Sequence, residues 1–171
     1  MINPYDIKIG DMVSPEMALE LAKHFNLDYI VNSVEDAYLI NYKPFRFDGA
    51  SCLIDSLASL LAGIDQKLFT YECAMPHDIS YYFGRLGDIK GKELADQKFK
   101  SDLIEKAGMK SWLAEIFYYA VKFGGVEELG TSFSWGFGRQ PNKCFVCSRS
   151  KAANPEECLL DYDIKVTKDK E

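Results

Sequence analysis

Apolar residues recur along this chain mostly at helical spacing, with short β-branched and aromatic runs near the start. Ser14-Pro15-Glu16 has the order of a helix start: a capping hydroxyl, a proline at the first helical position and an early anion. Met17, Leu21 and Phe25 follow at a spacing of four, with Ala18 and Ala22 beside them, and predict a helix over 15–25 that ends at Asn26. Tyr29-Ile30-Val31 and Ala37-Tyr38-Leu39-Ile40-Asn41-Tyr42 lie between polar residues and predict a hairpin or ribbon. Phe45-Arg46-Phe47 adds a third short strand before the Asp48-Gly49 turn signal. From Leu53 the pattern is helical, with Leu57, Leu60 and Leu61 on one face closing at Gly63. Leu68, Phe69, Ala74 and Met75 lead into Pro76-His77-Asp78, and Tyr81, Tyr82 and Phe83 run on to Gly84. A polar loop from Arg85 to Gly91 precedes Leu94, Ala95, Phe99 and Leu103, which end at Gly108. Ser111 then opens an apolar helix stopped by Gly124-Gly125. After Gly130 the pattern dissolves into Gly, Ser, Asn and Cys. The expectation is a helix-dominated α+β single domain over 1–171. It carries a small N-terminal β ribbon, a His-Asp helical hairpin and an irregular cysteine-containing segment over 131–171.

Composition narrows the classes. A chain of 171 residues, 47% apolar and 27% charged, has the size and balance of one globular domain. A net charge of −6 without a long basic run argues against nucleic acid held through phosphates. No apolar stretch approaches the roughly 18–20 residues of a bilayer span, and Met1 to Asp11 lacks a basic-then-apolar layout. The default expectation is a cytoplasmic protein with reduced thiols, while five cysteines, an odd number, leave signal-independent export open. Cys144, Cys147 and Cys158 offer three thiolates with no histidine nearby in sequence. That falls short of the four ligands of a structural zinc site, so free thiols or a tail disulfide are the simpler readings.

Candidate chemistry concentrates around one of the two histidines. His77 and Tyr81 are four apart and share a helix face, while Asp78 points about 100° away. Asp96 is the second carboxylate of interest. The short loop makes the two helices antiparallel, and folding back carries Asp96 toward the end of the first helix. On this reading it meets His77 only if the loop offsets the pairing. A carboxylate on one imidazole nitrogen fixes the tautomer and leaves the other to activate water, and Asp78 would be free for a hard cation such as calcium. The plainer alternative makes His77 a helix-start residue and Asp78 an early-turn anion, which Pro76 supports. Two other constellations stand beside this one. Cys52, just before an apolar helix, with His77 as base would suit an amidase or peptidase. His24, His77, Asp78 and a later Asp would suit a metal-dependent phosphohydrolase, against which the predicted strands between His24 and His77 speak. The aromatic-glycine segment Phe133 to Arg139 reads as a cover over the helical core or as a partner surface.

Cys73, His77, Asp78 and Tyr81 stand in the order C-x-x-x-H-D-x-x-Y, which resembles the active-site helix of secretory and viral phospholipases A2. In that family the His activates water, the next Asp binds calcium, and a later Asp on the following helix orients the His. The resemblance implies these roles for His77, Asp78 and Asp96, with calcium as cofactor and an ester or lipid ester as substrate. Ala95-Asp96-Gln-Lys-Phe99 resembles the second-helix signature of the short viral versions. The family's glycine-rich calcium loop has its nearest counterpart in Asp48-Gly49-Ala50, so Asp48 is the second candidate metal ligand. That segment is distant and carries one glycine, and the disulfide lattice of secreted members has no counterpart.

A longer series is similar to a family of small phage and bacterial proteins of unassigned function. It comprises Phe47-Asp48-Gly49-Ala50-Ser51, His77-Asp78 with Tyr81, Ala95-Asp96 with Phe99, and Tyr119-Ala120-Val121-Lys122 with Gly124. This likeness implies the helical His-Asp site without implying a reaction. The leading expectation is therefore a small hydrolase acting on a small-molecule or lipid ester. The alternative is a non-enzymatic, phage-derived or effector-type accessory protein that binds a partner protein.

Overall fold

A computed structural model describes residues 2–31, 42–47, 49, 63–85, 88–124 and 137. Helix α1, Pro15–His24, begins as its residues dictate: Ser14 Oγ accepts from the Met17 amide at 3.3 Å, and Pro15 occupies the first turn. It ends one residue before the expected Phe25. Asn26 takes the left-handed region at φ 54, which its short polar side chain tolerates.

The ribbon is real, with the expected strand at Phe45–Arg46 but a partner that was not expected. Tyr29-Ile30-Val31 is not a strand; it belongs to a helical turn, α2, Asp28–Val31. The Ile30 and Val31 amides both donate to the Leu27 carbonyl, at 2.9 and 3.0 Å. Ile30 is the one buried residue of that turn, which one helical turn achieves without a strand partner. Tertiary burial thus overrides β-propensity. The strands are β1, Met12–Val13, and β2, Phe45–Arg46, paired antiparallel with Val13 opposite Phe45. Val13 and Phe45 point to the core while Arg46 is exposed, the period-two pattern of a half-buried ribbon. The expected run over 37–42 is described only at Tyr42. The helix face from Leu53 to Leu61 lies outside the described residues, as do Asp48, Cys52 and every cysteine of the tail.

Asp65 caps the next helical rod, its Oδ1 accepting from the Lys67 and Leu68 amides. The rod runs unbroken from α3, Gln66–Leu68, through a π-helical stretch, Phe69–Ala74, into α4, Met75–Phe83. Pro76 is therefore not a helix start, as the plainer reading of His77 required. Its ring would collide with the carbonyl four residues back in a regular helix, and the widened π turn just before it relieves that crowding. The Glu72 carbonyl, which has no residue-76 amide to accept from, takes the Lys106 ammonium at 3.3 Å. After the loop, Asp88 caps α5, Ile89–Glu105, by accepting from the Gly91 amide at 2.9 Å. Gly108 at φ 66 turns the chain into α6, Ser111–Gly124.

Helix α4 separates two apolar clusters. Met75, Ile79, Tyr82 and Phe83 face Val13, Leu21, Ile30 and Phe45. On the other side, Phe69 and Cys73 of the π stretch pack with Phe99, Leu103, Leu113 and Phe117. His77 and Tyr81 lie about 200° around the helix from Met75 and Ile79, and so face α5. The described part of the molecule is thus helix-dominated with a small two-stranded antiparallel sheet, an α+β arrangement.

Candidate active site

The α4–α5 hairpin needs no offset to bring His77 to Asp96, contrary to the expectation from the loop. His77 lies six residues before the end of α4, and Asp96 lies seven after the start of α5. Antiparallel packing therefore sets them level, two turns from the loop. His77 Nε2 lies 3.0 Å from Asp96 Oδ1. The Tyr81 hydroxyl, one turn further along α4, donates to the same oxygen at 2.7 Å. The other carboxylate oxygen, Oδ2, accepts from Lys92 Nζ at 2.7 Å. Both oxygens of a side chain that is 0% exposed are thereby occupied, as a buried carboxylate requires.

Rings complete the enclosure of the imidazole. The His77 ring is 4.4 Å from that of Tyr81 and 4.8 Å from that of Phe99, both tilted. Tyr81 in turn meets the edge of Phe137 at 5.3 Å. Asp78 does not point wholly elsewhere: its Oδ1 is 3.9 Å from His77 Nδ1, and its side chain is 16% exposed. The two ring nitrogens thus have distinct surroundings, a buried carboxylate on Nε2 and the more open Asp78 side on Nδ1.

The electrostatics follow from these contacts. Burial pulls the imidazole down, but hydrogen bonds and charges from Asp78 and Asp96 outweigh it and hold His77 above its ordinary 6.5. Burial opposes ionisation of Asp96 too, yet His77, Lys92 and Tyr81 together keep it below the ordinary 3.8. An ionised Asp96 only accepts, so Nε2 carries the proton and Nδ1 is the nitrogen available in the neutral ring. Burial raises the Tyr81 phenol and the charge of Asp96 raises it further, so it stays a donor. Cys73, fully buried in the π stretch against Phe99 and Leu103, is pushed up to about 12 chiefly by burial and is a packing residue rather than a nucleophile.

Of the residues singled out by sequence, His77, Asp96 and Tyr81 come together and Asp78 lies beside them. Asp48 and Cys52 fall outside the described residues. His24 is exposed at the end of α1 with its ring against Phe25. Among the described residues no three His, Cys, Asp or Glu side chains gather as metal ligands. Calcium takes six to eight oxygens, so the described donors around Asp78 do not by themselves form its cage. Lys92 was not foreseen. Its signal was a cation on the same α5 stripe as Asp96, Phe99 and Leu103, at spacings of four, three and four. No family model, curated protein or solved structure matches the chain. No described helix is long and apolar enough to cross a membrane.

Proposed function

We propose that this chain is a small hydrolase in which His77 is the general base, Asp96 orients it, and the substrate is an ester, a lipid ester among them. The observation that supports the reading is the 3.0 Å contact of His77 Nε2 with a buried Asp96 whose remaining valences are taken by Tyr81 and Lys92. Such a ring is locked in one tautomer, with Nδ1 aimed away from the carboxylate. In the reaction Nδ1 takes a proton from water as its oxygen bonds to the ester carbonyl carbon. The carbon–oxygen bond to the alcohol then breaks, and the alkoxide takes the proton from Nδ1. The His77 side chain is only 8% exposed, and Asp78, on the Nδ1 side, is 16% exposed. Calcium, held by Asp78 and Asp48, belongs to the same proposal.

The test is turnover of nitrophenyl and phospholipid esters by the purified chain, with and without millimolar calcium, against His77→Gln and Asp96→Asn. Hydrolysis lost in both variants, which must remain folded, supports the reading. Calcium held at the site would raise the melting temperature of the wild type, and a flat titration removes Asp78 as a ligand. A second reading, a non-enzymatic accessory protein that binds a partner, draws on the same burial. An imidazole packed between Tyr81 and Phe99 is also how a purely structural polar network is built. Wild-type protein that turns over no ester under any of these conditions favours that second reading.

A further inference from the structure

The geometry points to Lys92 as the positioning residue of this site, holding Asp96 by its far oxygen so that the near oxygen meets His77 and Tyr81. A carboxylate turns easily about its last side-chain bond, whose energy wells are broad. Contacts on one oxygen alone do not fix it. Lys92 Nζ takes Oδ2 at 2.7 Å, and His77 and Tyr81 share Oδ1, so the carboxylate is gripped from both ends.

Lys92 is itself held from three directions. Its ammonium donates to Asp96, donates to the Lys122 carbonyl on α6 at 3.3 Å, and lies 5.4 Å from the Tyr81 ring centroid. The Lys122 ammonium does not compete for Asp96, being engaged with Glu93 at 3.0 Å. A surface pairing would not account for this arrangement. Lys before Asp at a spacing of four is the weaker order for a helical ion pair, and Asp96 is fully buried while the Lys92 side chain is 22% exposed. A buried carboxylate is costly unless a partner compensates it. Lys92 does so from the Oδ2 side, leaving Oδ1 to His77 and Tyr81. It also ties the hairpin to α6 through one main-chain carbonyl, so the third helix bears on the geometry of the first two.

The kinetic consequence rests on the hydrolase reading; the structural one does not. The experiment therefore has two readouts on the full chain, wild type against Lys92→Met, Lys92→Gln and Lys92→Arg. The first is the low-field proton resonance of the hydrogen-bonded His77 imidazole N–H, assigned by its loss in His77→Gln. The second is ester hydrolysis. The resonance is expected in the wild type, lost in Lys92→Met, weakened in Lys92→Gln and kept in Lys92→Arg. In the same order kcat falls on the order of 10- to 100-fold with KM little changed, and Lys92→Arg recovers most of it. If Lys92→Met does not fold, the comparison of Lys92→Gln with Lys92→Arg decides. A resonance that follows the series while no protein hydrolyses an ester leaves Lys92 in its role and removes the hydrolase. A resonance unchanged in the folded neutral variants, or missing from the wild type, overturns the inference.

Discussion

Replacing Asp96 by asparagine keeps the shape of the side chain and removes its charge, which makes it the sharpest probe of the buried network. The amide oxygen can still accept from Tyr81 or His77. The amide nitrogen must then take the place of Oδ2, where Lys92 Nζ stands at 2.7 Å and brings only donors. Hydrogen bonds to charged groups contribute about 1.5–3 kcal/mol each. Two such contacts, with Lys92 and with His77, are weakened or lost. Breaking a buried pair by neutralising one partner costs about 3–5 kcal/mol, so a loss of about 3 kcal/mol is expected. For a chain of this length each kcal/mol moves the melting temperature by about 2–4 °C, which predicts a fall of about 6–12 °C. Thermal denaturation at pH 6 and urea unfolding measure it. The partner substitution Lys92→Met should be strongly non-additive with Asp96→Asn, with a coupling of at least about 1 kcal/mol, because each removes the same contact. A melting temperature within about 2 °C of wild type, or simple additivity of the two, would falsify the picture of one coupled buried network.

Three further outcomes are expected. His77 is held above 6.5, so its stabilising contribution is complete below pH 6.5 and lost as pH rises through the raised value. Asp96 is held below 3.8, so its contribution is present above pH 3.8 and lost as pH falls through the lowered one. Denaturant midpoints should therefore be highest between these limits. General-base turnover needs the neutral ring and should rise with pH over the step where stability falls; the two moving together counts against His77 as the base. Cys73, with its thiol pushed up to about 12 mainly by burial, should stay unalkylated in native protein and react once denaturant is added, as peptide mass spectrometry reads. Gly84→Ala would place a methyl group 2.5 Å from the Phe137 ring, and should destabilise by about 1–3 kcal/mol. Adding Phe137→Ala should remove most of that penalty relative to Phe137→Ala alone, and a full penalty in the double variant would show that Phe137 is not what Gly84 accommodates.

Local chemistry made much of this architecture readable in advance. Ser14-Pro15 starts a helix wherever it stands ahead of an apolar stripe, and Gly108 and Ser111 bound α5 and α6 for equally local reasons. The pairing of His77 with Tyr81 on one face follows from helix geometry, and so does their orientation opposite Met75 and Ile79. The π turn before Pro76 was not readable, because the sequence shows a proline without showing whether the preceding turn can widen to accept it. The strand at Phe45–Arg46 was visible. Its partner Met12–Val13 is too short to carry a periodic signal, and Ile30 reached the core by a helical turn instead of a strand.

The candidate site divides along the same line. Its residue types and their order along the chain belong to the sequence, and they singled out His77, Asp96 and Tyr81. Only the packed hairpin decided that His77 and Asp96 stand level. Only the approach of α6 gave Lys92 a second acceptor in the Lys122 carbonyl and made a helix-surface lysine part of a buried network. Spacing along one helix sets which side chains share a face, whereas the packing of α4 on α5 decides what satisfies the buried carboxylate, and α6 only helps to hold its lysine partner.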